Sequence, residues 1–529
     1  MTVKRATTQR APKRREPVRE PRTFAAVNRR VHTMMDERPT LDYTVVRTVV
    51  LVLAGLGVVM VLSSSMATSF AASSSVWAQA VKQMAMVGAG LIAFWAALQL
   101  PPEKVKRAST ILMVIAVVLL LAVLIPGIGT GKEEVGSQSW IAVGPLSFQP
   151  SELARVTIAV WGAKVLSSHE TGVPFLRRQG LILYCAVAAL CLGLIAMQGD
   201  LGMAVTFGVI AGLTLFFIGL PWPAIGALVA LVLVALVTVF LSGGYRSNRF
   251  HVYFDALFGT FEDTRDIAFQ SHQGFLSLGD GSLFGVGLGQ SRAKWFYLPE
   301  ARNDFIFAVI GEELGLWGGV LVVILFALLG YFGLRAAVRA QDQFQTLMAA
   351  SLAAGIVSQA FVNIGYVVGI FPVTGIQLPM VSAGGTSAII TLGSMGLLAS
   401  VARHEPGAIS AMQNYGRPAF DRILGIREPK APAQAAQRAG AKRSRSRDDQ
   451  LRERFGTPIT ARASQRDGAP ASRRSPVPPT SAAVAQTRRP AQLDRPSRYA
   501  PLESRRGTPE AGRSPRRPAP VRHDARRAG

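Results

Sequence analysis

The chain has 529 residues, 49% of them hydrophobic, and a formal net charge of +25. Residues 1–41 carry 11 Lys/Arg against 4 Asp/Glu, and residues 403–529 carry 28 against 11, so the excess charge sits in the two ends and the middle is close to neutral. That distribution excludes a basic globular domain, and the only two cysteines, Cys185 and Cys191, both in an apolar run, exclude a disulfide framework or a cysteine metal site.

The Arg-rich N-terminal tail, 1–41, is not followed by a short apolar stretch with a small-residue cleavage site, so the first long apolar run is expected to remain as an anchor. A membrane-spanning helix needs ~20 mainly apolar residues. Ten such runs follow, near 44–66, 78–100, 109–126, 151–167, 179–197, 202–220, 224–242, 305–334, 347–370 and 384–402. Polar residues interrupt the fourth and fifth. The eighth would extend ~45 Å as a straight helix, so it must tilt, kink or project beyond the hydrocarbon. The expected fold class is an all-α polytopic membrane protein. Its helical domain covers 42–403, with a long segment at 243–304. The tail 404–529 is rich in Arg, Pro, Ala and Ser, has no apolar periodicity, and reads as disordered.

Three short loops, 101–107, 177–179 and 335–341, carry Lys or Arg. With an even number of spans they share a side with both tails, and the positive-inside rule makes that side the cytoplasm. Segments 127–150, 243–304 and 371–383 then face outward. The basic tail has two competing partners, anionic lipid, at ~1 kcal/mol per basic residue near the surface, or a cytoplasmic protein. No folded motif supports nucleic acid.

The outward segments hold the chemistry-bearing residues. In "SQSWIAVGPLSFQPSELAR", Gly144 and Pro145 mark a turn, and Pro150 and Ser151 suit a helix start. Glu152 and Arg155 are three apart, on one helix face, as a local ion pair or a charged pair lining a polar cavity. Asp200 in "QGDLG" stands at a helix mouth, where a cap is the plain reading. Arg246 and Arg249 in "GYRSNRF" could meet lipid headgroups or grip a pyrophosphate. The glycines of "GDGSLFGVGLGQ" lack a strand–turn–helix context, which rules out a dinucleotide or ATP site and suggests flexible backbone beside a groove. The stretch "NIGYVVGIFPVTGIQLPMVSAGGTS" is broken by Pro372, Thr374, Gly375, Pro379, Ser382, Gly384 and Gly385; broken backbone at membrane depth lines a cavity or is buried in protein. In "LPEARNDFIFAVIGEELG", Asp304 lies where the eighth run begins. Glu312 is ~12 Å deeper and rotated by ~80°, so both are expected to face one polar chamber, whereas Glu313 needs another partner.

Together these segments resemble the SEDS family (shape, elongation, division and sporulation), polytopic bacterial enzymes that polymerise peptidoglycan from lipid II. The motifs occur in the family's order across about 42–403. The resemblance implies ten membrane helices with both termini cytoplasmic, in the cell membrane. The cell-division member is the better match and the elongation member the alternative. It implies that Asp304, the aspartate of the DFIF motif, is essential for polymerisation. The family's PSE-x-A-(K/R) motif maps onto Glu152 and Arg155. Gly199 stands where the family has proline in Q-P-D-L-G, and Arg302 where it commonly has His.

The resemblance further implies glycosyl transfer between lipid-linked sugars with inversion, Asp304 taking the proton from the acceptor hydroxyl. Arg246, Arg249 and Lys294 are the candidates for stabilising the leaving pyrophosphate, with Glu152, Arg155, Asp200 and Glu312 as further substrate-binding candidates. No organic cofactor is implied. A divalent cation could share the charge on the pyrophosphate, with no ligands assigned. The implied partners are lipid II, a class B penicillin-binding transpeptidase, and other division proteins reached through the tails at the septum. A lipid II flippase and a non-enzymatic division scaffold are the alternatives from other functional classes.

Overall fold

The computed structural model describes residues 33–73, 77–131, 136–144, 146–168, 179–241, 253, 267–292, 298 and 301–429. Each apolar run lies on a helix: α1 (Leu41–Ser73), α2 (Ala78–Gln99), α3 (Pro102–Ala122), α4 (Pro150–Leu166), α5 (Gln179–Met197), α6 (Leu201–Phe217), α7 (Trp222–Leu241), α9 (Ile306–Val338), α10 (Gln343–Val367) and α11 (Thr386–Arg403). A further helix, α8 (Ile267–Gly281), precedes α9. Among the described residues, seven helices are long and apolar enough to cross a membrane: α1, α2, α3, α5, α9, α10 and α11. Helices α4 and α6 have 17 residues each, a rise of ~25 Å, less than the ~30 Å hydrocarbon thickness.

The helix starts follow local chemistry. Pro102 and Pro150 occupy the first turns of α3 and α4, where a missing N–H costs nothing. Asp200 and Asp342 cap α6 and α10 by accepting from the backbone N–H of Met203 and Gln345. Close packing relies on small residues, as expected where lipid removes the hydrophobic drive between helices. A Cβ added at Gly396 of α11 would lie 2.5 Å from the Phe94 carbonyl of α2.

Between α3 and α4 the chain adds a feature to the all-α expectation. Strands β1 (Gly129–Thr130), β2 (Trp140–Val143) and β3 (Leu146–Phe148) form a small antiparallel sheet in the order β1-β2-β3. Ile141 pairs with Gly129 on one side and Phe148 on the other, and Gly144, with φ +60, turns the β2–β3 hairpin.

The eighth run resolves its excess length by breaking. Gly315 has φ 69 and ψ −166 inside α9, so the helix is two rods joined at that residue. The carbonyls next to the break are served by the loop after α8. The N–H groups of Val286 and Gly287 donate to the Glu312 and Glu313 carbonyls at 2.9 and 3.0 Å, and Leu316 N–H donates to the Ser282 carbonyl at 2.9 Å. A Cβ on Gly285 would collide with the Glu313 carbonyl. The glycines of this loop therefore permit a close backbone brace, in place of the flexible groove edge expected from the sequence.

A disordered tail from residue 404 was expected. The chain instead continues into α12 (Pro406–Tyr415) and α13 (Ala419–Ile423). Asp421 is fully buried and accepts from Tyr43 Oη at 2.5 Å and Arg403 Nε at 2.8 Å. The Arg47 guanidinium lies 4.2 Å from the Phe420 ring centroid. Ala408, Ile409 and Met412 are buried as well, so residues 405–427 dock on the tail-bearing ends of α1 and α11. Two helices this short leave too little periodicity to read in the sequence.

Candidate active site

The end of the bundle opposite α12 and α13 gathers most of the motifs. Residues 301–305 form a turn, and α9 begins at Ile306 after the N-cap residue Phe305. Asp304 therefore precedes the cap position. Its neighbouring carbonyls are held from two directions. Asn363 Nδ2 and Tyr366 Oη of α10 each lie 2.9 Å from the Asp304 carbonyl. Ser382 Oγ donates to the Asn303 carbonyl at 2.6 Å, and Ala383 N–H donates to the Arg302 carbonyl at 3.0 Å. Three consecutive peptide groups are thus fixed immediately before the helix that carries Glu312 and Glu313.

Residues 368–385 supply half of this clamp and run as irregular backbone between α10 and α11. Ile376, Leu378, Met380 and Val381 are buried, which satisfies the requirement that non-helical backbone in a membrane protein be enclosed. Gly375 and Gly385 take the positive φ values that the turns need, and Gly385 leads into α11. A Cβ on Gly384 would lie 2.7 Å from Gln377 Oε1. Pro372 and Pro379 lie in the same irregular stretch. The Thr374 carbonyl closes against Gly202 of α6, where an added Cβ would come within 2.5 Å. Gln83 of α2 reaches the Ser382 carbonyl at 3.3 Å.

The other candidate residues fall into separate groups. Glu152 and Arg155 form an ion pair of 2.7 Å, both side chains buried, and Arg155 Nη2 also reaches Thr391 Oγ1 of α11 at 3.3 Å. Arg155 Nε and Nη1 are buried with no protein partner. Asp200 is the cap of α6, and its second oxygen accepts from Gln149 Nε2 at 2.7 Å. The expected shared chamber of Asp304 and Glu312 is not what holds Glu312. Its two oxygens accept from Arg292 N–H at 2.6 Å and Ser291 Oγ at 2.7 Å, so this carboxylate anchors the loop that braces the α9 break. Glu313 faces elsewhere, toward Ser63 of α1. Arg246, Arg249 and Lys294 lie outside the described residues.

Asn363 and Tyr366 were not singled out from the sequence. Their signal was an amide and a phenol three residues apart, on one face of an apolar span. Among the described residues no three of His, Cys, Asp and Glu come together as a metal-ligand set.

The family model described as "Cell cycle protein", covering the FtsW, RodA and SpoVE proteins, matches residues 43–406. The chain belongs to this family. The FtsW/RodA/SpoVE match extends over the whole helical bundle and ends where α12 begins. The chain is 38% identical over 426 residues to a probable peptidoglycan glycosyltransferase FtsW of Mycobacterium tuberculosis, covering 80% of each protein. It is 37% identical over 368 residues to the stage V sporulation protein E of Bacillus subtilis, covering 67% of this chain and 95% of that protein. A solved structure, described as structural coordination of polymerization and crosslinking by a peptidoglycan synthase complex, superposes with a TM-score of 0.55 at 25% identity, over 68% of this chain and 97% of that one. The protein is thus a multi-pass, mainly helical membrane protein of the FtsW/RodA/SpoVE family.

Proposed function

We propose that this chain is a peptidoglycan glycosyltransferase that polymerises lipid II into glycan strands at the outer membrane face during division. The observation that carries the reading is the position of Asp304, a carboxylate-bearing residue at the mouth of α9 whose flanking peptide groups are clamped by α10 and the 376–383 segment. A general base must be held within hydrogen-bond reach of the proton that it takes. Asp304 removes the proton from the acceptor sugar hydroxyl as that oxygen attacks the donor's anomeric carbon. The bond to pyrophosphate breaks with inversion, as charge builds on the ring. Arg246, Arg249 and Lys294 meet the leaving pyrophosphate, since guanidinium and ammonium groups stabilise phosphate charge.

Arg155 ties α4 to α11 through Thr391 and keeps two buried nitrogens without a protein partner, so that it and its ion-pair partner Glu152 stay candidates for substrate contact. Glu312 supports the loop ahead of the site. Both termini are cytoplasmic. The working partner is a class B penicillin-binding transpeptidase, a reading supported by the likeness to a synthase complex that couples polymerization and crosslinking. The division role rests on the FtsW-named relative, and other division proteins are reached through the cytoplasmic tails.

The deciding experiment supplies lipid II to the purified protein with its transpeptidase. Asp304→Asn is expected to fold and make no polymer. Polymer formation by that variant at the parental rate would overturn the assignment. A septal position for a fluorescent fusion distinguishes the division role from an elongation role along the side wall.

A further inference from the structure

The carbonyl of Asp304 is a helix-start carbonyl that the helix does not use. The first N–H groups of α9, on Ala308 and Val309, go to the Phe305 carbonyl. Asn363 Nδ2 is 2.9 Å from the Asp304 carbonyl and 2.7 Å from the Ile376 carbonyl. Tyr366 Oη is 2.9 and 2.7 Å from the same two acceptors. Two amide hydrogens and one phenolic hydrogen thus converge on two carbonyls, one in the turn before α9 and one in the broken segment after α10. Asn363 is fully buried, and its Oδ1 has no protein partner. The amide nitrogen faces these two carbonyls and, at 2.7 Å, Tyr366 Oη, and its own acceptor is left unmatched, an unusual arrangement in a native interior.

Tyr366 adds a packing contact. Its ring meets Phe305, the residue after Asp304, edge-on at a centroid distance of 5.8 Å. Phe305 is itself buried and stands where a Cβ on Gly274 of α8 would lie 3.1 Å away. The residue on the far side of Asp304, Asn303, has its carbonyl held by Ser382. Both peptide groups that orient the Asp304 Cα–Cβ bond are therefore fixed by α10 and the segment that follows it.

We propose that Asn363 and Tyr366 are positioning residues for Asp304: they hold its backbone so that the carboxylate meets the acceptor hydroxyl in reacting geometry. This rests on the assignment of Asp304 as general base. They act through the peptide group and touch no substrate. Asparagine suits the position because it brings two donors to two carbonyls. Aspartate there would set oxygen against oxygen, and tyrosine supplies the third donor on a ring too large to shift.

The test is steady-state polymerisation of lipid II by the full chain with its transpeptidase, with activity expressed per folded molecule from thermal unfolding in detergent. Tyr366→Phe keeps the ring and removes one donor. It should lower kcat about tenfold with KM within about twofold, since sub-ångström misplacement of a catalytic group costs turnover and not ground-state binding. Asn363→Asp should lower kcat by about a hundredfold. In Tyr366→Phe the acidic limb of the pH–rate profile should shift, because the base then ionises in altered surroundings. Parental kcat and an unshifted profile in Tyr366→Phe, with Asp304→Asn inactive, would overturn the positioning role and leave the catalytic assignment standing. Activity in Asp304→Asn would overturn the assignment itself, and the positioning role with it. A loss in either variant that matches only the loss of folded protein would also overturn the proposal.

Discussion

Ser63 of α1 and Glu313 of α9, 250 positions apart, meet in the interior of the helix bundle, with the hydroxyl 2.6 Å from the carboxylate. The adjacent Glu312 points about 100° away around the helix and holds the loop at Ser291 and Arg292. One pair of acidic residues thus joins α9 to two different neighbours. Ser63→Ala removes a donor from a buried carboxylate and should cost ~1–3 kcal/mol. Thermal unfolding in detergent reads this directly. Turnover per folded molecule should be unchanged, because neither Ser63 nor Glu313 reaches the turn that holds Asp304.

The brace at the α9 break depends on Gly285, whose φ of +77 and contact with the Glu313 carbonyl leave no room for a side chain. Gly285→Ala combines a disfavoured backbone conformation with a backbone collision. A loss of roughly 3 kcal/mol is expected, with reduced yield of folded protein. Gly279 of α8 has nothing within 4 Å of an added Cβ and makes the natural control. Gly279→Ala should cost less than ~1 kcal/mol, or stabilise.

The Glu152–Arg155 pair should behave as a buried ion pair. Arg155→Met alone leaves the Glu152 carboxylate buried without its base, at ~3–5 kcal/mol. The double replacement Glu152→Leu with Arg155→Met removes both charges and should recover most of that loss. Unfolding midpoints of the two single variants and the double variant complete the cycle. Polymerisation should recover with folding if the pair only joins α4 to α11.

At the tail-bearing end, Glu405 is buried beside Asp42, with Arg339 Nε 3.8 Å from its carboxylate. Burial pushes its pKa from 4.5 up to about 8, the Asp42 carboxylate adds to the rise, and Arg339 and Arg335 oppose it. The folded chain therefore holds a proton that the unfolded chain has released. The resulting stabilisation is full below pH 4.5 and is lost as pH rises to about 8. Burial lowers the pKa of the neighbouring His404 below 6.5, and its stabilisation is lost only as pH falls below that value. From pH 6.5 to 8 the two groups act in opposite directions, and Glu405, which shares its site with the Asp42 carboxylate, sets the fall in stability. Unfolding midpoints should fall across this window in the parent, and Glu405→Gln should flatten the slope.

The membrane core was legible because a span must write ~20 apolar residues into the chain, whatever its neighbours. The break in α9 was legible as excess length. Its location at Gly315 was not, since glycine is common in apolar spans and only the approach of residues 282–287 decides where the helix yields. The place of Asp304 at the start of α9 could be read from its motif, and the separation of Glu312 from Glu313 from helical geometry. Asn363 could not, because its acceptor at Asp304 lies 59 positions away. The same limit hid the docked tail. Asp421 is anchored by Tyr43, 378 positions earlier, and a five-residue helix shows no periodicity of its own.

The joint at Gly315 has a mechanical consequence. A straight rod of 33 residues would transmit every tilt imposed by the bilayer to its far end. Two rods with a joint do not. The outer rod, Ile306–Leu314, and Leu316 at the head of the rod below both bond to the loop at 282–292, so that the change of direction is held at one place. Tilt of the long rod is thus taken up at Gly315, ahead of the turn that carries Asp304.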